Sequence, residues 1–305
     1  METVRRFLEM IRFSHTLFAL PFALFSAILA WYGKREFAWG DFAIEITGIL
    51  LCMVFARSAA MAFNRLADRD VDALNPRTAI RHLPSGQLSV GGVWAFTLVC
   101  CAGFVGSTAL FLLTDNRWPL YLSVPVLLFI MGYSYTKRFT ALAHVWLGAS
   151  LLLAPVAAWI AIRQFDEFLV PIVIGLAVLF WVAGFDIIYA CQDADFDRQA
   201  KLHSIPASVG VPAALKLAMA SHALMVVMLI ALAFLAPPPL GWLFIVAIAV
   251  VAGLLVYEHC LVRPDDLTRV NQAFFNINII ISLLLLAVLL AEVGIDVWSR
   301  TSASS

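Results

Sequence analysis

Two groups of acidic side chains follow long apolar segments of this 305-residue chain. In the first group, Asn64, Asp68 and Asp72 are spaced four residues apart. Because an α-helix turns by about 100° per residue, residues at this spacing lie on one face. The pattern therefore predicts an amide and two carboxylates in a column on one helix. Asp70 falls on the opposite side of that helix and is interpreted as an exposed residue.

The second acidic group repeats this pattern. Tyr189, Asp193 and Asp197 are again four residues apart, and Asp186 precedes Asp193 by seven residues on the same face. Asp195 takes the position that Asp70 has in the first group. The repetition predicts a second column of oxygen ligands and indicates an internal repeat, because the two groups end segments that run in the same direction.

The ligand types in the two columns favour magnesium. Amide and carboxylate oxygens without histidine or thiolate suit Mg²⁺, which keeps waters and shares its coordination shell with phosphate oxygens. Two facing columns would hold Mg²⁺ ions that bridge a pyrophosphate group. A single acidic group after a membrane segment is typical of a solvated loop, but two groups with one spacing favour a site. The predicted metal ligands are Asn64, Asp68, Asp72, Asp193 and Asp197.

Basic residues lie near both columns and would neutralise phosphate charge. Arg77 follows the first column, and Lys201 follows the second. Lys137 and Arg138 end another apolar segment, where they are also typical of residues that anchor a helix at the cytoplasmic surface. Arg57 lies on the same face as the first column, seven residues before it. It is predicted either to contact an anion in the pocket or to form a structural ion pair.

The composition places these groups in a membrane protein. Hydrophobic residues make up 63% of the chain and charged residues 13%, with a mean hydropathy of +0.93. Soluble domains have about 25% charged residues, so the composition predicts an integral protein of the lipid bilayer. The net charge is zero and gives no indication of a nucleic-acid partner. The five cysteines form no CxxC pair, so neither a disulfide framework nor a zinc site is predicted.

Nine apolar segments of the chain are predicted to cross the bilayer as helices, which takes about twenty residues each. The predicted fold is therefore an all-α bundle of nine transmembrane helices in one domain that covers residues 1–305. The predicted spans are 16–32, 42–63, 91–113, 118–135, 142–162, 168–191, 212–236, 239–257 and 272–291.

The basic residues outside these spans predict the orientation of the bundle. Nine spans put the termini on opposite sides, and 13 Lys and Arg residues lie on the side of the N-terminus against five on the other. Because cytoplasmic loops are enriched in Lys and Arg, the N-terminus is predicted to be cytoplasmic. Both acidic columns then lie at the cytoplasmic mouth of the bundle. This position implies a substrate with a phosphate head at the interface and an apolar tail between the helices.

The two acidic motifs resemble those of the UbiA superfamily of intramembrane prenyltransferases. That family has an N-x-x-x-D-x-x-x-D motif after its second span and a D-x-x-x-D motif after its sixth, and residues 64–72 and 193–197 match them. Further similar segments are "NPRT" at 75–78, "YTKR" at 135–138 and "DIIYACQD" at 186–193. The opening "IRFSHTLFALPF" at 11–22 resembles the 4-hydroxybenzoate polyprenyltransferase branch. One departure is His82, where many members have proline.

The resemblance implies a Mg²⁺-dependent transfer of a polyprenyl group to an aromatic acceptor. The allylic C–O bond of a polyprenyl diphosphate would ionise, and the ring of the acceptor, 4-hydroxybenzoate in the first place, would attack the allylic cation and lose a proton. Cations act most strongly where negative charge builds on the departing pyrophosphate. The implied catalytic residues are Asp68, Asp72, Asp193 and Asp197. Within this scheme the candidate phosphate contacts are Arg77, Lys137, Arg138 and Lys201, and shared helix faces make Arg57, Asp186 and Tyr189 the hypothesised acceptor contacts.

Two alternatives to this function stay open on the sequence. The same chemistry would serve a dihydroxynaphthoate-type acceptor of the alternative menaquinone route. An ion-coupled transporter would also contain intramembrane carboxylates, but these usually lie near the bilayer midplane at broken helices, whereas the acids of this chain lie at helix ends beside basic residues. The predicted location is the bacterial cytoplasmic membrane, which the chain crosses several times.

Overall fold

The described helices agree with the all-α prediction. The structure, a computed structural model, describes residues 2–11, 16–34, 38–236, 240–270 and 273–303. Within these ranges the regular elements are α-helices with short 3₁₀ and π segments, and β structure is limited to one isolated bridge between Arg263 and Asp266. The α-helices are α1 Glu2–Met10, α2 Thr16–Tyr32, α3 Trp39–Ala67, α4 Arg69–Leu74, α5 Val90–Thr108, α6 Trp118–Thr136, α7 Ala143–Arg163, α8 Leu169–Ala190, α9 Ala194–Gln199, α10 Ile205–Val209, α11 Val211–Leu235, α12 Trp242–Leu261 and α13 Asn278–Ala303.

Eight helices in the described ranges are long and apolar enough to cross a membrane. They coincide with predicted spans two to nine, so the protein is an integral membrane protein with several spans. The first predicted span coincides with α2, which has only 17 residues. This length is at the lower limit of what crosses a bilayer as a helix. The count of nine crossings therefore stays a prediction.

The last helix is longer than the apolar pattern predicted. The ninth span was expected to end at residue 291, but α13 continues to Ala303. Asp296 and Arg300 lie one turn apart on this extension and form an ion pair at 2.8 Å. Both also contact the hydroxyl group of Tyr32 at the end of α2. These polar contacts stabilise helical turns that hydrophobicity alone does not indicate.

Polar contacts are found at both ends of the bundle. At one end, Lys34 binds Glu45 with an Nζ–Oε1 distance of 2.7 Å, close to the end of α2. At the other end, the backbone N–H of His203 donates to the carbonyl of Lys137 at 2.7 Å. Both acidic columns lie at the end that contains Lys137. The assignment of one face to the cytoplasm stays a prediction.

Helix α8 lies at the centre of the bundle, packed against α7 and α11. About two thirds of its apolar segment is buried (67%), the largest share among the eight candidate spans. Val178, Trp181 and Val182 on this helix are completely buried. A helix that is apolar on all sides belongs in the interior of a bundle. Because α8 leads directly into the second acidic column, its neighbours position that column.

Gly148 on α7 allows a close approach to α8. Small residues at helix interfaces let backbones come together in membrane bundles, and a Cβ added at Gly148 would overlap the carbonyl oxygen of Leu179 on α8. The alanine methyl group therefore has to push the two helices apart. Gly148→Ala is expected to lower the free energy of unfolding by about 1–3 kcal/mol, which a lower Tm of the detergent-solubilised protein would report.

Gly253 on α12 provides the matched control. A Cβ added there meets no neighbouring heavy atom within 4 Å among the described residues. Alanine also favours the helix over glycine by about 1 kcal/mol, so the Tm of Gly253→Ala is expected to equal or exceed that of the parent. Equal Tm values for the two variants would contradict the close contact of α7 and α8.

Candidate active site

The backbone of each acidic column is interrupted at its middle aspartate. Helix α3 ends at Ala67, and Asp68 has φ −92° and ψ 1° before α4 begins at Arg69. Asp193 has nearly the same conformation, φ −103° and ψ 4°, before α9 begins at Ala194. The prediction of one uninterrupted helix under each column is therefore wrong. The matching interruptions are in keeping with the internal repeat that the spacing indicates.

The first column nevertheless keeps its common face. The N–H of Asp68 donates to the carbonyl of Asn64 at 2.9 Å, and the N–H of Asp72 donates to the carbonyl of Asp68 at 2.7 Å. The four-residue helical contact thus continues through the interruption. The intervening residues point away from the columns, since the side chains of Asp70 and Asp195 are 84% and 88% exposed. The prediction that these two residues are exposed is confirmed.

A cavity of about 160 Å³ lies between the two columns. Its lining includes both complete columns and, in addition, Asp186, Arg77, Lys137 and Arg138. The loop after the first column closes one side, where Asn75 Nδ2 donates to Asp193 Oδ1 at 3.3 Å across 118 residues of sequence. The structure therefore brings the two motifs together around one space.

Arg77 connects the two motifs directly. Its Nε donates to Asp193 Oδ1 at 2.8 Å, its Nη2 donates to the other oxygen of that carboxylate, and its Nη1 donates to the Tyr189 hydroxyl at 2.9 Å. Burial alone would lower the pKa of Arg77, but hydrogen bonds and attraction from Asp193 and Tyr189 outweigh this effect and raise it. The guanidinium group is therefore a permanent positive charge inside the cavity.

Two further cations pair with the last carboxylate of each column. Arg81 Nη1 donates to both oxygens of Asp72 at 2.7 Å. Lys137 Nζ lies 3.5 Å from Asp197 Oδ2. The cavity thus combines carboxylates with closely placed cations from other segments. Such a mixture suits a ligand that consists of a metal ion and a polyanion, since each finds groups of opposite charge.

Two carboxylates of the cavity would gain from a bound cation. Asp197 Oδ2 is buried and accepts no hydrogen bond within the described part of the chain, although the charge of Lys137 lies 3.5 Å away. Burial raises the pKa of Asp68, and the nearby charge of Asp72 raises it further, while Lys137 and two other neighbours act in the opposite direction. A cation beside either carboxylate would offset the unfavourable burial of its charge.

The donor set fits a magnesium ion that a diphosphate helps to bind. Within the described ranges, no three side chains of His, Cys, Asp or Glu are gathered closely enough to hold one metal ion. Mg²⁺ typically uses one or two carboxylates and completes its shell with water and substrate phosphates. In this arrangement the ligands would be Asn64, Asp68 and Asp72 on one side and Asp193 and Asp197 on the other.

Three predicted substrate contacts are placed differently from expectation. Arg138 lines the cavity, but its Nη2 donates to the carbonyl of Ala67 at the end of α3. Lys201 is exposed, has a left-handed backbone with φ 55°, and is not among the cavity-lining residues. Arg57 also lies outside the lining, about 10 Å deeper along α3 than the first column. The geometry of the cavity therefore gives no support to the predicted roles of Arg57 and Lys201.

Sequence reasoning missed three residues at the cavity. Arg81 contacts Asp72, and no spacing in the sequence indicates this contact. Tyr133 lines the cavity, which its spacing of four residues from Lys137 could have indicated. His144 on α7 is fully buried, and its Nδ1 lies 2.6 Å from Asp186 Oδ2 on α8. This last pair joins two separate helices, so no sequence spacing predicts it.

Known proteins are similar to this chain over most of its length. A model of the UbiA prenyltransferase family matches residues 19–280. A 4-hydroxybenzoate octaprenyltransferase from Tolumonas auensis is 30% identical over 243 residues, which cover 77% of this chain and 79% of the relative. The match to the family model includes every residue that lines the cavity.

Two solved structures are similar to the bundle as a whole. The apo structure of a UbiA homolog from Aeropyrum pernix K1 has a TM-score of 0.79 and 33% sequence identity, and the match covers 92% of this chain and 98% of the homolog. A UbiA homolog from Archaeoglobus fulgidus bound to GPP and Mg²⁺ has a TM-score of 0.67 and 24% identity, over 95% of this chain and 99% of the homolog. The second likeness is one of fold.

Proposed function

Since this chain belongs to the UbiA prenyltransferase family, we propose that it transfers a polyprenyl group from a polyprenyl diphosphate to an aromatic acid, with 4-hydroxybenzoate as the acceptor. The observation that carries this proposal is the cavity in which the carboxylates of two distant motifs face each other beside Arg77 and Lys137. The relative from T. auensis, named as a 4-hydroxybenzoate octaprenyltransferase, supports both this acceptor and a long prenyl chain.

The diphosphate head would bind between the two columns. Mg²⁺, which is bound together with GPP in the homolog of the same fold from A. fulgidus, supplies positive charge to the phosphate oxygens when present. Asn64 and the four motif aspartates would hold it. Arg77 and Lys137 line the same cavity beside Asp193 and Asp197, and they would donate to the remaining phosphate oxygens. Their positive charge would stabilise the pyrophosphate as it departs, because it is already in place beside the site where negative charge develops.

The acceptor would lie on the side of the cavity that α8 provides. Asp186 and Tyr189 are almost one turn apart on this helix, and both line the cavity. A phenolic hydroxyl that donates to the carboxylate of Asp186 makes its ring more electron-rich and therefore a better nucleophile toward an allylic cation. The ring packs between the tyrosines of the cavity, Tyr133 and Tyr189. This orientation presents a ring carbon to the allylic carbon of the donor.

The proposed site lies at the cytoplasmic face of a bacterial cytoplasmic membrane, with the N-terminus on the same side. The excess of Lys and Arg in the loops around the cavity supports this orientation. The phosphate head then meets the aqueous interface, and the prenyl tail lies in the bilayer between the helices. Membership of a prenyltransferase family argues against the ion-coupled transporter, whose carboxylates would lie deeper in the membrane.

The direct test is prenyl transfer by membranes that contain the full chain. The membranes receive Mg²⁺ and a polyprenyl diphosphate, with 4-hydroxybenzoate in one reaction and a dihydroxynaphthoate in another, and both product and released pyrophosphate are measured. Membranes with the Asp68→Ala, Asp193→Ala double variant are the control. Prenylated 4-hydroxybenzoate is expected with the parent protein and not with the double variant.

The two acceptors separate the alternatives. If only the dihydroxynaphthoate gives product, the proposed prenyl transfer holds, and the protein is assigned to the menaquinone route. If neither acceptor gives a prenylated product or released pyrophosphate, the proposal of aromatic prenyl transfer is contradicted.

Lys137→Ala provides a narrower prediction for diphosphate binding. The ammonium group lies inside the cavity, 3.5 Å from Asp197. Its loss is expected to raise the KM for the polyprenyl diphosphate about tenfold, the effect of one hydrogen bond to a charged group, while the KM for the acceptor changes little. Lys216→Ala serves as the control because Lys216 is exposed on α11 and outside the cavity lining. Equal KM values for the two variants would remove Lys137 from the diphosphate site.

A further inference from the structure

A histidine outside both motifs lies directly behind one carboxylate of the cavity. His144 is the second residue of α7, and its side chain is completely buried. Asp186 on α8 is 16% exposed and lines the cavity. His144 Nδ1 is 2.6 Å from Asp186 Oδ2. A buried imidazole therefore contacts the face of Asp186 that is turned away from the ligand space.

The second ring nitrogen of His144 determines which tautomer is present. The backbone N–H of Ile205 donates to His144 Nε2 at 3.3 Å. A backbone N–H can only donate, so Nε2 carries its lone pair and the proton of the neutral imidazole is on Nδ1. Ile205 is the first residue of α10, where a backbone N–H has no acceptor within its own helix. The start of α10 thereby selects the tautomer that donates to Asp186.

This contact leaves one oxygen of Asp186 available to a ligand. The Nδ1–H of His144 occupies Oδ2, and no group in the described part of the chain donates to Oδ1. Rotation of the carboxylate would break the bond to a histidine that is itself held by the backbone of α10. The free oxygen is therefore kept in one direction, toward the cavity.

We propose that His144 is a positioning residue for the aromatic acceptor: its Nδ1–H orients Asp186 so that Oδ1 accepts a hydrogen bond from the acceptor's hydroxyl group. The inference rests on the proposed function, in which Asp186 faces a phenolic acceptor. His144 does not touch the substrate, because it is buried behind Asp186. Its removal should therefore weaken the use of the acceptor and leave the binding of the diphosphate unchanged.

Two substitutions separate this role from packing. In His144→Asn the side-chain amide nitrogen takes nearly the position of Nδ1 and still donates to Asp186, whereas His144→Leu fills the space without a donor. His144→Leu is expected to lower kcat/KM for the aromatic acceptor about tenfold, as the loss of a hydrogen bond to a charged group does. His144→Asn is expected to stay within about threefold of the parent. The KM for the polyprenyl diphosphate should not change in either variant.

A double-mutant cycle with Asp186→Asn shows whether His144 acts through Asp186. If it does, His144→Leu causes little further loss once Asp186 has been replaced, because coupled residues are not additive. Additive losses, equal losses in His144→Leu and His144→Asn, or a changed KM for the diphosphate would each overturn the positioning role.

The tautomer is measurable without any assay of activity. In full-length protein with ¹⁵N-labelled histidine in lipid nanodiscs, the ¹⁵N shifts of His144 should show a protonated Nδ1 and an unprotonated Nε2, and these signals should be absent from His144→Asn. A proton on Nε2 would overturn the inference even if the enzyme is active. A parent protein that prenylates no aromatic acceptor would contradict the proposed function instead, and the tautomer would still test the pairing of His144 with Asp186.

Discussion

Asp68→Asn and Asp193→Asn are each expected to lower Mg²⁺-dependent prenyl transfer by about a hundred- to a thousandfold. Each carboxylate faces the cavity from the middle of its column, where the helix is interrupted. Asparagine keeps the shape of the side chain but removes the negative charge that, in the proposed function, would hold Mg²⁺ against a diphosphate. Release of pyrophosphate should fall together with prenyl transfer, and the Mg²⁺ concentration for half-maximal rate should rise.

The chain offers a matched control two residues after each of these aspartates. Asp70→Asn and Asp195→Asn make the same chemical change at side chains that are 84% and 88% exposed and lie outside the cavity lining. Their activity is expected to stay within about twofold of the parent. Thermal unfolding of all four purified variants separates loss of the site from loss of the fold. Similar activities for the cavity and exposed variants would refute the assignment of the columns.

Arg77→Ala should lower kcat/KM for the polyprenyl diphosphate by about a hundredfold. Arg77 donates to both oxygens of Asp193 and to the hydroxyl of Tyr189, and it lines the same cavity as the first column. Its removal eliminates several hydrogen bonds that involve an ionised group, each worth about 1.5–3 kcal/mol. It also leaves Asp193 without its neighbouring cation. Steady-state kinetics with a varied diphosphate concentration measures the effect.

Two other substitutions define what Arg77 contributes. Arg77→Lys keeps the positive charge but loses the planar fork that contacts two oxygens at once, so its kcat/KM should lie between those of the parent and Arg77→Ala. Arg69→Ala is the control, because Arg69 is 44% exposed and pairs with the exposed Asp70. If Arg77→Ala and Arg69→Ala are equally active, the connection between the motifs has no role in diphosphate use.

The acidic motifs were predictable because helical periodicity is a local property. Asn64, Asp68 and Asp72 share a face, and Asp70 is exposed, as the four-residue spacing requires. The common face persists although the predicted unbroken helix is wrong, because the backbone hydrogen bonds to Asn64 and Asp68 continue through the interruption. The interruption itself has no signature in the spacing, because the same residues would form the same pattern on a continuous helix.

The length of α13 shows the same limit at the opposite end of the chain. The predicted span ends at residue 291, but the helix continues to Ala303, and contacts of Asp296 and Arg300 with Tyr32 on α2 stabilise this extension. That stabilisation comes from another helix. The sequence pattern of α13 alone therefore cannot predict it.

The sequence alone predicted eight of the apolar spans, the common face of each column and the exposed side chains of Asp70 and Asp195, because hydrophobic and helical periodicities depend only on neighbouring residues. Folding in three dimensions brings Arg77 to Asp193 and His144 to Asp186, and it leaves Arg57 and Lys201 outside the cavity lining. These outcomes depend on how α7 packs against α8 and how the loop after the first column reaches the second. Contacts between distant segments are set by packing and by the direction of each loop, and the order of residues along one helix does not specify either.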